Sequence, residues 1–89
     1  MANEEHLKLI KQGVDIWNAW REKCPEIHPD LSQADLRGVK LQKINLGNTN
    51  LKESKLQFSN LTGAQLGEAN LTKSKLQEAE KNEDYDLLK

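Results

Sequence analysis

Leucine stands at positions 31, 36, 41, 46, 51, 56, 61, 66, 71 and 76, ten times in succession at a step of five. That period decides what the chain can fold into. On an α-helix a step of five turns about 500°, so successive leucines jump about 140° round the circumference and leave no apolar face. On a flat strand an odd step sends alternate leucines to opposite sides. The period therefore requires a backbone that turns as it advances. Two residues before each leucine the side chain is mostly small: Ala34, Val39, Ile44, Thr49, Ser54, Ser59, Ala64, Ala69 and Ser74. The residue immediately before is always polar, from Asp30 and Asp35 through to Asn70 and Lys75. Each unit thus offers one large and one small inward group and three that face water. Stacked coils with short sides, their backbones paired between layers, meet this pattern, which reads as a β-solenoid.

Composition makes the same demand. With 89 residues, 36% of them hydrophobic and 4% aromatic, and a mean hydropathy of -0.81, a conventional globule would struggle to offset its conformational entropy. Regular placement of few apolar groups resolves the difficulty. Thirteen basic against fourteen acidic residues give a net charge of -1, which nominates no partner and disfavours nucleic acid. Cys24 is the single cysteine, so neither an intramolecular disulfide nor a cysteine-based metal site can form, and a reducing cytoplasm is the default. The N-terminus begins Met-Ala-Asn-Glu-Glu-His, acidic where a secretory leader is basic, and no apolar run approaches the length of a membrane span. A soluble, unexported, cytoplasmic protein with no membrane partner is expected.

The segments Ala34-Asp35-Leu36 and Ala69-Asn70-Leu71, with the degenerate units between them, resemble the A(D/N)LXX motif of pentapeptide-repeat proteins. The resemblance implies an all-β solenoid, a right-handed quadrilateral β-helix with four pentapeptides per coil. Ten units make about two and a half coils, some 12 Å tall at the usual spacing of paired backbones. Residues twenty apart then stack, putting Leu31, Leu51 and Leu71 in one interior ladder and Leu36, Leu56 and Leu76 in another, with Leu41 over Leu61 and Leu46 over Leu66. The sequence departs from the motif at Val39 and Ile44, which are large, and at Lys40, Lys55 and Lys75. The organisation expected is a leader and linker at 1-28, the repeats at 29-78 and a charged tail at 79-89.

A short solenoid depends on its caps. Residues from about Glu4 to Lys23 read as one amphipathic helix, with Leu7, Ile10, Val14, Trp17 and Trp20 on the apolar arc and Lys8, Lys11, Asp15, Asn18 and Glu22 largely opposite. Asn3 suits its N-cap, and Pro25 and Pro29 stop it. The open end of the first coil is the nearest surface for that arc, and Val39 and Ile44 lie there. The stretch Gly13 to Arg21 also resembles helical leaders that precede some bacterial pentapeptide repeats. At the other end, Tyr85, Leu87 and Leu88 sit in a charged run. It reads as a frayed tail, a second cap, or a contact with another copy that would make a homodimer through the C-terminal end.

Chemistry is sparse. His6 and His28 have no partners that suggest a triad or a metal site, so surface or capping roles are expected. Cys24 beside Pro25 reads as a packing group. The Glu4/Glu5 and Asp84/Asp86 pairs lie in solvated segments, and no glycine spacing suits a phosphate cradle. No catalytic residue, cofactor, small-molecule substrate or metal site is expected. Phe58 falls at an outward position in the column Gly38, Phe58, Glu78, where it could shield a corner, meet the tail or mark a contact surface. The function expected is a non-enzymatic protein-protein interaction or scaffold module. An alternative implied by the resemblance is a DNA mimic that modulates DNA gyrase. Residues 31 to 78 oppose it with seven basic groups against four acidic, net +3. The column containing Lys55 and Lys75 suggests a third reading, an anionic partner, although Asp35 shares that column.

Overall fold

The computed structural model describes residues 1–80, so the roles expected for Tyr85, Leu87 and Leu88 lie outside the described residues. Helix α1 spans Glu4–Lys11 and helix α2 spans Val14–Lys23. Asn3 caps α1 through its side-chain oxygen, which accepts from the N–H groups of Glu5 and His6 at 2.9 and 3.2 Å. Glu4 and Glu5 in the first turn and Lys8 and Lys11 in the last complement the helix dipole. The single helix expected from Glu4 to Lys23 is corrected to two. Gly13, at φ +117°, takes a conformation that side-chain-bearing residues avoid, and the chain turns there. The second helix ends at Cys24, ahead of Pro25.

After the helices the chain stacks on itself in layers. Isolated parallel bridges pair Asp30 with Asn50, Asp35 with Lys55, Lys40 with Asn60, Asn45 with Gln65, Asn50 with Asn70, Lys55 with Lys75 and Asn60 with Glu80. Each bridge joins positions twenty apart; among the described residues four join the first layer to the second and three join the second to the third. No β-strand forms among the described residues, where α1 and α2 are the only regular elements. The expected all-β solenoid, a right-handed quadrilateral β-helix, is therefore corrected to layered turns joined by isolated single-residue bridges. The cause lies in the turn. Gln33, Gly38, Lys43, Asn48, Glu53, Phe58, Gly63, Glu68, Lys73 and Glu78 all have φ between +55° and +71°. A left-handed residue at every fifth position, three after each bridged residue, turns the corner before the next bridge; its own N–H still donates to the adjacent layer, as from Gln33 to the Lys52 carbonyl at 2.8 Å, but no run of consecutive bridges forms.

Each pentapeptide repeats the same local bonding. The N–H of the small residue donates to the carbonyl of the leucine three positions earlier, as from Ala34 to Leu31 at 3.1 Å and from Ala64 to Leu61 at 3.0 Å. This closes a four-residue turn whose third residue is left-handed, the requirement of a type II turn. Where Asp or Asn precedes the leucine, its side-chain oxygen accepts the N–H two residues on. The pairs are Asp30 with Ser32, Asp35 with Arg37, Asn45 with Gly47, Asn50 with Lys52, Asn60 with Thr62 and Asn70 with Thr72. An N–H that faces neither the turn nor the next layer is satisfied in this way, which is the physical reason for the (D/N) of the motif. Asn60→Ala is accordingly expected to cost about 0.5–1 kcal/mol in a urea titration, while Gln65→Ala, with no such bond, costs less.

Inside the layers the leucines from Leu31 to Leu66 are fully buried, whereas Leu71 and Leu76 are half-buried. Ala34, Ile44, Thr49, Ser54, Ser59 and Ala64 fill the second inward position, and Val39 and Ala69 are half-buried there. At two of the inward serines the hydroxyl returns to the turn, Ser59 Oγ to the Leu56 carbonyl at 2.7 Å and Ser74 Oγ to the Leu71 carbonyl at 2.8 Å, whereas the buried Ser54 Oγ has no partner among the described residues.

Candidate functional site

Two regions carry polar chemistry beyond the repeat, and the first is the junction between helices and layers. A layer edge leaves N–H and C=O groups unpaired. Here helix side chains take the place of a missing layer. Trp17, fully buried, donates its Nε1 proton to the Asn45 carbonyl at 2.7 Å. Asn18 accepts from the Asn45 N–H at 2.8 Å and donates to the Lys43 carbonyl at 3.1 Å. Its expected place on the solvent-facing side is thus corrected: it is half-buried against the first layer. Arg21, also buried, donates to the carbonyls of Asn45 and Gly47 at 3.1 and 2.9 Å and to Thr49 Oγ1 at 3.3 Å. Burial pulls its pKa below the ordinary value. Ile10 is buried in the same apolar cluster, against which Leu7, Val14 and Trp20 pack half-buried.

Across the junction, the Asn3 N–H donates to the Asp30 carbonyl at 2.9 Å and the Asp30 N–H donates to His6 Nδ1 at 3.0 Å. The His6 ring lies 5.0 Å from that of Trp20. Desolvation lowers the His6 pKa below 6.5, against the opposing pull of Asp30 and Glu5. An acceptor at Nδ1 must be unprotonated there, so the geometry and the shift agree. Because the folded pKa is the lower, the unfolded chain takes up the proton first. The contribution of this contact is fully present above the unfolded value near 6.5 and is lost as the pH falls from there through the lower folded value. A scan of melting temperature from pH 7.5 to 5 should show a larger fall for the native chain than for His6→Gln; equal falls would refute this role.

The second region is an open depression on the side of the layers, lined by Asp35, Arg37, Gly38 and Phe58. Phe58 is 69% exposed and occupies a left-handed turn position at φ +64°. Gly38 stands one layer above it in the same column, and a Cβ placed there would meet nothing within 4 Å. Arg37 Nε and Nη2 grip the Asp35 carboxylate at 2.8 and 2.7 Å, a bidentate pair. The bonds from Arg37 hold the Asp35 pKa down to about 2. Lys55 and Lys75 stand below Asp35, one layer apart. Sequence reasoning singled out Phe58 and the lysine column but missed the Asp35–Arg37 clamp, whose signal was opposite charges two residues apart at the start of a turn.

Among the described residues no group of three His, Cys, Asp or Glu side chains is placed to hold a metal ion. His28 is exposed, and Cys24 is free and half-buried. No described helix is long and apolar enough to cross a membrane.

Comparison with known proteins gives one assignment. Residues 30–66 and 49–80 match the family described as pentapeptide repeats, in 8 copies. No curated protein and no solved structure matches the chain. The matched span coincides with the bridged layers from Asp30 to Glu80, and pentapeptide-repeat proteins are generally non-catalytic. With more than half of its length matched and the turn, bridge and leucine pattern running through that span, the chain belongs to the pentapeptide-repeat family.

Proposed function

We propose that this pentapeptide-repeat protein is a cytoplasmic interaction or scaffold module that works through the outer faces of its layers. The observation that carries the reading is Phe58, a large apolar side chain held in solvent on a backbone whose interior does not use it. Singly exposed apolar groups are ordinary. This one lines a depression beside a clamped arginine, which gives a partner both an apolar and a polar handle. The net +3 of residues 31 to 78 weighs against a DNA mimic acting on gyrase.

Affinity capture of the intact chain from its native lysate, followed by cross-linking and mass spectrometry, tests the reading. One stoichiometric partner cross-linked to the repeat faces is expected. An eluate matching bare resin would overturn it, and a gyrase subunit in the eluate would restore the mimic reading. A homodimer through the C-terminal end is a second reading, supported by the half-buried Leu71 and Leu76. Sedimentation at increasing concentration tests it, and a constant monomer mass would exclude it.

A further inference from the structure

We infer that the face around Phe58 binds an acidic, extended segment of another protein, one carrying an aromatic or branched aliphatic residue between its carboxylates. This deepens the interaction-module reading and rests on it. Of the ten left-handed turn positions among the described residues, nine hold glycine or a polar residue and only position 58 holds a large apolar one. The turn itself imposes the left-handed conformation, which eight side-chain-bearing residues adopt, so what the fold leaves unexplained at position 58 is the apolar ring and not the backbone. Burial gives no reason for Phe58 either, since most of it faces solvent. Above the ring the bare Gly38 leaves an open shelf on which a flat or branched apolar group can lie.

The charges around the ring specify the rest of the ligand. Arg37 is fixed by two bonds to Asp35, which leaves Nη1 as a pre-oriented donor and balances the charge of the pair. Lys55 and Lys75 lie one layer apart, about 4.8 Å at the usual spacing. Among the described residues, Arg37–Asp35 is the only salt bridge, so neither lysine is paired there. Glu78 lies below Phe58 in its column, and the next bridge column carries Lys40 and Glu80 at either end of Asn60. A peptide with carboxylates flanking an apolar residue can set that residue on Phe58 and its charges toward the lysines and Arg37. A single-stranded nucleic acid would also offer rings and negative charge. It fits less well, because one aromatic gives a single stacking platform where a strand stacks successive bases on several.

The test uses the full chain labelled with 15N and four probes. They are the peptide acetyl-Ser-Asp-Glu-Trp-Glu-Asp-Ser-amide, the same peptide with lysine at its acidic positions, the same with serine for tryptophan, and a ten-residue oligothymidylate. The acidic tryptophan peptide should shift the amide signals of Gly38, Lys55 and Phe58, and the other three should not. Phe58→Gly and the double change Lys55→Glu with Lys75→Glu should each weaken binding at least about tenfold, the second effect fading with added salt. Glycine adopts the left-handed turn freely, so Phe58→Gly should melt no lower than the native chain and its loss of binding cannot come from unfolding.

Absence of shifts, equal shifts with the lysine peptide, affinity unchanged in the variants, or tighter binding of the oligothymidylate would each overturn the proposal. So would the same amides shifting on concentration of the protein alone, which would assign the face to a second copy. Both variants are also put through the lysate capture. A stoichiometric partner retained by both would sink this site and keep the module, whereas no partner for the native chain would sink the module itself.

Discussion

Leu56→Ala is expected to remove about 3 kcal/mol of folding free energy. Its side chain is fully buried in the column it shares with Leu36 and Leu76. The walls around it cannot collapse to fill the gap, because the backbone above and below is fixed by bonds of 2.8 Å, from the Leu36 N–H to the Lys55 carbonyl and from the Leu56 N–H to the Lys75 carbonyl. Net stabilities of domains are about 5–15 kcal/mol, so the loss is a large share for 89 residues. Leu76→Ala, in the same column but half-buried, should cost less than half as much. Urea titrations of the two variants measure the difference through their midpoints. Equal losses would show that burial at the last layer is as complete as in the middle.

Trp17→Ala should be as damaging or more so, about 4 kcal/mol. The indole is the largest fully buried side chain and joins the helices to the first layer. Its removal opens a void at the junction and takes away the 2.7 Å donor to the Asn45 carbonyl. That carbonyl keeps Arg21 as a donor, so Trp17→Phe, which retains most of the apolar bulk, should lose only about 1–2 kcal/mol. Ile16, one residue earlier and 47% exposed, is the control: its replacement by alanine should change stability by about 0.5 kcal/mol. If Trp17→Ala proved as mild as the control, the helices would be an appendage and not a cap.

These contrasts mark what could be read from the chain alone. A strict period of five made the inward positions legible, since a side chain that recurs with the turn of the backbone must point to the same side each time. What it could not convey was how short each extended stretch would be. The left-handed position is occupied by Gln33, Lys43, Glu53, Phe58, Glu68, Lys73 and Glu78 as readily as by Gly38 and Gly63. Residue type there gives little warning of a conformation that turns the chain between one bridge and the next. The break at Gly13 was visible as a glycine within an otherwise helical pattern, but the apolar spacing ran on across it.

Polar contacts were harder still to read. Arg21 and Asn18 look like ordinary solvent-facing helix residues until the edge of the first layer, with carbonyls at Lys43, Asn45 and Gly47, is set against them. Their partners lie 24 to 28 residues away, and only the assembled junction brings them together. The Asp35–Arg37 clamp is local, yet the turn between the two residues had to be known before their side chains could be paired.

The side-chain cap at one end also gives the molecule a direction of opening. Hydrogen bonds between layers join residues 19 or 21 apart, so each layer is held mainly by its neighbours and protection can be lost one layer at a time. The first layer is tied down by Trp17, Asn18 and Arg21, while the half-buried Leu71 and Leu76 are held less firmly. Amide exchange should then advance as a front, reaching Leu71 before Leu51 and Leu51 before Leu31. The stack is a ratchet of local stabilities whose fixed end is the folded leader.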